Sequence, residues 1–119
     1  MADAKNSEQY LSLKNEEAEF EVWRHKDGAQ ITINDAGVWL DAGACEALAF
    51  ILESGAVATA TIDGAFRASV EVTRQPFGGW MISVQMSEDE VECFETFKEW
   101  NDDGEAVNCN AEIVAVLRG

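Results

Sequence analysis

An α+β fold is what this sequence predicts: an antiparallel sheet with two main helices on one face, built from a ββ(β)α order that reads as duplicated. Three observations carry the expectation. Runs such as AEFEVWRH and AQITIN alternate apolar and polar residues with the period of two that a half-buried strand requires. Asp-Gly steps at Asp27-Gly28 and Asp63-Gly64 stand between such runs as hairpin signals. Two stretches place a capping residue ahead of apolar positions at helical spacing: Asp41 before AGACEALAFILE, and Ser87 before EDEVECFETFKEW.

The elements follow in order. Residues 1–119 form a single domain, since 119 residues suffice for one modest core, and 47% apolar residues with four tryptophans and six phenylalanines can fill it. Residues 1–17 form an N-terminal segment, partly helical or mobile, with a short helical turn over residues 7–15. Strands over 18–25 and 29–34 make a hairpin; after the turn NDAG, VWLD is a third short strand. A helix over 42–53 stops at Ser54-Gly55. Strands over 56–62, 66–74 and 80–86 follow, with the only proline in the loop QPFGG. A second helix over 88–101 starts at a capping box, Ser87 with Glu90, and stops at Gly104. Residues 105–117, ending EIVAVL, add a last strand. Aligning the two helical stretches places Asp41 on Ser87, Cys45 on Val91, Leu48 on Phe94 and Ile51 on Phe97.

The second helix carries the functional expectation. At 100° per residue Val91, Cys93, Phe94, Phe97 and Trp100 make an apolar arc, while Glu88, Glu92, Glu95, Glu99 and Asp102 line the opposite side, with Asp103 widening the band. A face chosen for solubility mixes signs, because like charges at i,i+4 destabilise a helix by ~0.2 to 0.5 kcal/mol. Acids at a helix C-terminus also oppose the helix dipole. Five acids over roughly 21 Å give about one charge per 5 Å, comparable to the phosphate spacing along one nucleic-acid strand. The solvated face of an ordinary amphipathic helix is the competing reading. A second acidic cluster, EEAEFE, runs into the first strand, where Glu19 and Glu21 share a face with Trp23, an aromatic placed to anchor an interface.

Twenty-three acidic against eight basic residues leave a formal net charge of −15, which repels nucleic acid and anionic membranes and attracts basic proteins. No export signal or membrane-length apolar run is visible, and three cysteines, odd in number and without the close paired spacing of a zinc site, suit reduced thiols in a cytoplasm. Cys45 and Cys93 are expected as buried structural thiols. No catalytic residue is expected: His25 is the sole histidine and sits at a turn, and no phosphate-binding loop is present. No cofactor or metal is expected. Glu99, Asn101, Asp103 and Gly104 can be laid on an EF-hand loop, but its twelfth position would be Asn110 where a bidentate Glu is needed.

In size, charge, cysteine usage and acidic stripe the chain resembles the small phage-encoded inhibitors that include anti-CRISPR proteins and DNA mimics. That resemblance implies an inhibitor that binds a basic, nucleic-acid-binding surface of a partner protein or complex by charge mimicry, without touching nucleic acid or membrane itself, as a monomer or homodimer. An immunity protein or antitoxin neutralising a basic toxin would use the same electrostatics. A third reading is a dimeric structural or ligand-binding module joined through the small residues Ala42, Gly43, Ala44, Ala47 and Ala49.

Overall fold

Four strands pair in sequence order to build the first sheet: β1 (Gln9–Lys14), β2 (Glu19–His25), β3 (Gly28–Ile33) and β4 (Ala36–Asp41), all antiparallel. The computed structural model describes residues 9–14, 18–76, 79–87, 89–96, 98–100 and 106–119. Cross-strand register sorts the side chains into rows. Leu13, Phe20, Ile33 and Ala36 form one row, Leu11, Val22, Ile31 and Val38 the next, and Arg24, Ala29 and Leu40 a third. Every apolar member of these rows from β2, β3 and β4 is buried, so this is the core face of the sheet.

Helix α1 (Ala42–Ser54) starts where expected. The Asp41 carboxylate accepts the Ala44 N–H at 2.8 Å, and Gly55 ends the helix in the left-handed conformation with its N–H on the Ile51 carbonyl at 3.0 Å. A second antiparallel sheet follows, again in sequence order: β5 (Thr59–Asp63), β6 (Ser69–Arg74), β7 (Trp80–Ser87) and β8 (Glu90–Glu95). Its core rows are Ile62, Val70 and Val84, then Ala60, Val72, Ile82 and Phe94. The two sheets meet through these faces, with the Phe20 and Phe94 rings stacked at 5.1 Å. Two short strands, β9 (Lys98–Trp100) and β10 (Ala106–Asn108), pair with each other before helix α2 (Cys109–Arg118).

Helix α2 lies against α1, β1 and β2, and α1 against β3, β4 and β5. Ile113, Val114 and Leu117 bury its inner side. Polar ties finish the joint. Asn110 Nδ2 donates to the Leu52 carbonyl at 2.9 Å, satisfying the end of α1, and Arg24 Nε donates to the Leu117 carbonyl at 2.9 Å from the core face of β2. Arg118 reaches Glu53 at 2.7 Å and Glu46 at 3.3 Å on the surface, an exposed contact of small energetic weight. Both helices therefore sit on the core side of the first sheet, although the second of them is the C-terminal segment and not the expected 88–101, and a second sheet joins them in covering that one face.

Four expectations change. The region read as a helix over 88–101 is strand β8 followed by strand β9. Met81, Ile82, Ser83, Val84 and Gln85 each have a partner between Val91 and Glu95, so β8 closes an edge of the sheet; alternation then buries Phe94 and leaves Val91 and Cys93 exposed. The Ser87 to Glu90 spacing read as a capping box is a hairpin connection, with Ser87 and Glu90 paired across it. Residues 105–117, read as a strand, are mostly α2, and the helical turn expected over 7–15 is instead strand β1. The duplicated ββ(β)α unit does not form as aligned, because Ser87, Val91 and Phe94 lie in strands where Asp41, Cys45 and Leu48 cap and line a helix; what the two parts share is a four-strand antiparallel meander.

Candidate functional site

The outward residues of the first sheet compose the surface of interest, because Tyr10, Ser12, Lys14, Glu19 and Trp23 on that side are exposed while the opposite side is buried. Strand alternation sends Tyr10, Trp23, Gln30 and Trp39 outward as one continuous row across all four strands. The adjacent row is Ser12, Glu21, Thr32 and Gly37, and beyond it Lys14 stands opposite Glu19. Tyr10 is 47% exposed and Trp23 44%, whereas Trp39 and Gln30 are half-buried.

What buries Trp39 is the sheet itself. A methyl group at Gly28 would stand 2.8 Å from Trp39 Cζ2 and collide with the Leu40 carbonyl, so the indole lies down over the glycine. Gln30 covers Gly37 in the same way, its Nε2 lying 2.7 Å from where a methyl would be. The His25 ring approaches Trp39 at 5.8 Å, and the Tyr10 and Trp23 rings lie 4.4 Å apart with planes inclined at 46°. The Tyr10 hydroxyl donates to Glu21 Oε2. That hydrogen bond to a carboxylate is the main reason the phenol ionises above its ordinary value of 10.0, so Tyr10 remains a proton donor at neutral pH.

Of the residues singled out from sequence, Glu19, Glu21 and Trp23 come together on this face as expected. The proposed stripe does not form. Glu92 lies on the core-facing side of β8, half-buried, and its Oε1 accepts from Asn34 Nδ2 at 2.8 Å, while Glu95 is exposed on the other side of the strand. A helix would have aligned them at i,i+3; the period of two of a strand separates them. Glu99 falls in β9. Glu88, Asp102 and Asp103 lie outside the described residues. Asn34 ties the two sheets together: at φ 53° in the β3–β4 turn, it also takes the Glu19 N–H on Oδ1 at 3.1 Å and donates its own N–H to the Glu19 carbonyl at 2.9 Å.

Sequence reasoning missed Tyr10, Gln30 and Trp39, which fall in line with Trp23 only through the cross-strand register. It also missed the β5–β6 tip. Phe66 is 97% exposed and, with Arg67, adopts positive φ, at 57° and 65°. The turn is closed by the Ala68 N–H on the Ala65 carbonyl at 3.1 Å. Gly64 seats this tip against β4, since a methyl there would press on Val38 and lie 2.7 Å from the Trp39 carbonyl.

Reactive chemistry is sparse. No group of three potential metal ligands occurs among the described residues, and no helix among them is long and apolar enough to cross a membrane. Cys45 is buried as expected, and burial pushes its thiol pKa up, away from thiolate chemistry. Cys93, expected to be buried, is exposed on the outer side of β8, with Sγ 3.1 Å from Ser83 Oγ. A groove of about 380 Å³ between the helices is lined by Glu53, Asn110, Ala111, Val114, Ala115 and Arg118. The small residues considered for dimerisation divide: Ala49 is buried and Ala44 half-buried inside the fold, while Ala42, Gly43 and Ala47 are exposed. Compared with family models, with curated proteins and with solved structures, the chain matches none.

Proposed function

We propose that the protein is an acidic inhibitor that occupies a basic, nucleic-acid-binding surface of a partner protein, and that it does so with the outward face of its first sheet. One observation carries the reading: an exposed aromatic pair, Tyr10 and Trp23, stands beside Glu19 and Glu21 on the outward face of that sheet. Tryptophan and tyrosine are enriched among the few residues that carry most of the binding energy of protein interfaces. A net charge of −15 supplies long-range attraction to a cationic surface and repulsion from nucleic acid. The regular row of carboxylates along a helix is no part of this proposal; shape mimicry of a phosphate strand gives way to charge complementarity around an aromatic centre. A phage-type inhibitor and an immunity protein or antitoxin share these electrostatics.

The test is displacement of labelled duplex DNA from a lysine- and arginine-rich DNA-binding protein. The parent should release the DNA, more weakly as salt rises, because exposed charges are screened over roughly 8 to 10 Å near physiological ionic strength. Glu19→Lys with Glu21→Lys should abolish release. Glu71→Lys with Glu90→Lys, an equal charge change at exposed positions of the second sheet, should leave most of it. Equal loss from both pairs would show that total charge acts and the first-sheet face does not. Direct binding of the parent to duplex DNA at physiological salt would overturn the proposal.

A further inference from the structure

We infer that Tyr10, Trp23 and Glu21 form a receptor for a single guanidinium group, an arginine side chain presented by the protein partner. The inference rests on the acidic-inhibitor reading and names the residue that this face selects. The two rings are direct cross-strand partners at 4.4 Å with planes inclined at 46°, and nearly half of each is open to solvent. A cation resting on such a ring within about 6 Å of its centroid is attracted by the ring's electron-rich face.

The carboxylate is already placed beside the rings. Glu21 is held by the Tyr10 hydroxyl on Oε2, and a carboxylate has capacity for further donors on both oxygens. Its cross-strand neighbours are Ser12 and Thr32, both uncharged, whereas Lys14 stands one row away opposite Glu19. The neighbouring Arg24 is turned to the core face, where it binds the Leu117 and Gly28 carbonyls. Among the described residues, therefore, no cation stands in the two rows that hold the rings and Glu21. Arginine fits better than lysine because a planar guanidinium can lie on an aromatic face while its N–H groups reach a carboxylate in the same plane; a compact ammonium offers no plane to stack. Tilted exposed rings also strengthen a sheet by themselves, so the experiment has to separate stability from recognition.

An oligoarginine and an oligolysine peptide of equal length, titrated calorimetrically into the parent at low salt, provide the probe. The parent should bind oligoarginine several-fold more tightly. Trp23→Val, which keeps every charge and a strand-favouring side chain, should weaken oligoarginine binding roughly five- to tenfold and leave oligolysine nearly unchanged, removing the preference. Glu21→Gln, close to isosteric on the sheet surface, should cost a similar factor for oligoarginine while the unfolding midpoint stays near that of the parent. The indole N–H resonance of Trp23 should shift with oligoarginine and vanish from the titration in Trp23→Val. Equal affinity of the two peptides for the parent, or unchanged oligoarginine affinity in both variants, would overturn the receptor and leave the acidic-inhibitor reading standing. Absence of binding by either peptide at low salt would overturn both.

Discussion

At Phe66 and Arg67 the chain accepts a local cost that a neighbouring choice of residue would have avoided. Both sit in the left-handed region, at φ 57° and 65°, in the central positions of the turn closed by Ala68 onto Ala65. Such turns match the twist of a hairpin, but they favour Asn-Gly; a side chain with a Cβ costs roughly 1 to 2 kcal/mol in this conformation. Burial returns nothing here, since Phe66 is 97% exposed. Replacing the pair as Phe66→Asn with Arg67→Gly should therefore stabilise the protein by about 1 to 3 kcal/mol, seen as a rise in Tm of several degrees in calorimetry. A Tm that falls or stays level would mean that these two residues make stabilising contacts at the β4 edge. Tyr10 shows the opposite economy, because its one hydroxyl both orients Glu21 and keeps its own proton.

Among the elements, β8 is tied to the first sheet by a side chain from the β3–β4 turn. Asn34, in the β3–β4 turn, receives the Glu19 N–H and holds Glu92 of β8. Asn34→Ala removes both side-chain bonds and puts an ordinary residue at positive φ, so it should cost about 2 to 4 kcal/mol. Asn34→Gly keeps the backbone conformation and should cost less. Both are checked by the denaturant midpoint at constant m-value; equal costs would assign the whole effect to hydrogen bonds. The same strand shows where the sequence could be read and where it could not. The hairpin at Asp27-Gly28, and helix α1 with its Asp41 cap, depend on local turn and cap chemistry, and the chain spells them out; Asp63-Gly64 marks the right connection, but the turn itself falls at Phe66-Arg67, with Asp63 still paired in β5. For β8 the local signal was ambiguous: Val91, Phe94 and Phe97 recur at helical spacing, yet VECF is equally a β-rich run. The tie was decided by free backbone groups on β7, which local sequence does not display. The same-sign carboxylates at i,i+3 and i,i+4 were evidence against a helix, and a strand removes that repulsion by sending Glu92 and Glu95 to opposite sides. In α2, the β-branched run EIVAVL misled because packing against α1 and β1 outweighs intrinsic preference. On the first sheet, Glu19, Glu21 and Trp23 were legible because a period of two needs no tertiary information; Tyr10 and Trp39 required the register.

Across the molecule, acidity is spread over both sheets and α1, and the outer face of the first sheet differs from the rest by its aromatic row rather than by charge alone. The sequential strand order has a consequence of another kind. Every strand of both large sheets bonds only to strands next to it in the chain, so no long crossover must close before a sheet can form. Pairings of this sort involve short loops and low entropic cost, which favours early assembly. The contacts that need distant parts of the chain are different ones: α2 against α1 and β1, and Arg24 on the Leu117 carbonyl, 93 residues away. Folding should therefore proceed from two independent meanders to a late docking of the C-terminal helix, with high φ-values in the β2–β3 and β6–β7 hairpins and low ones at Ile113 and Leu117. Mutations that weaken α2 docking should then accelerate unfolding while scarcely slowing refolding, and a chevron whose folding limb falls with Leu117→Ala would reverse that order. Native-state hydrogen exchange adds a thermodynamic corollary: α2 amides should open below the global unfolding free energy, making the C-terminal helix the first cooperative unit to leave an otherwise intact protein.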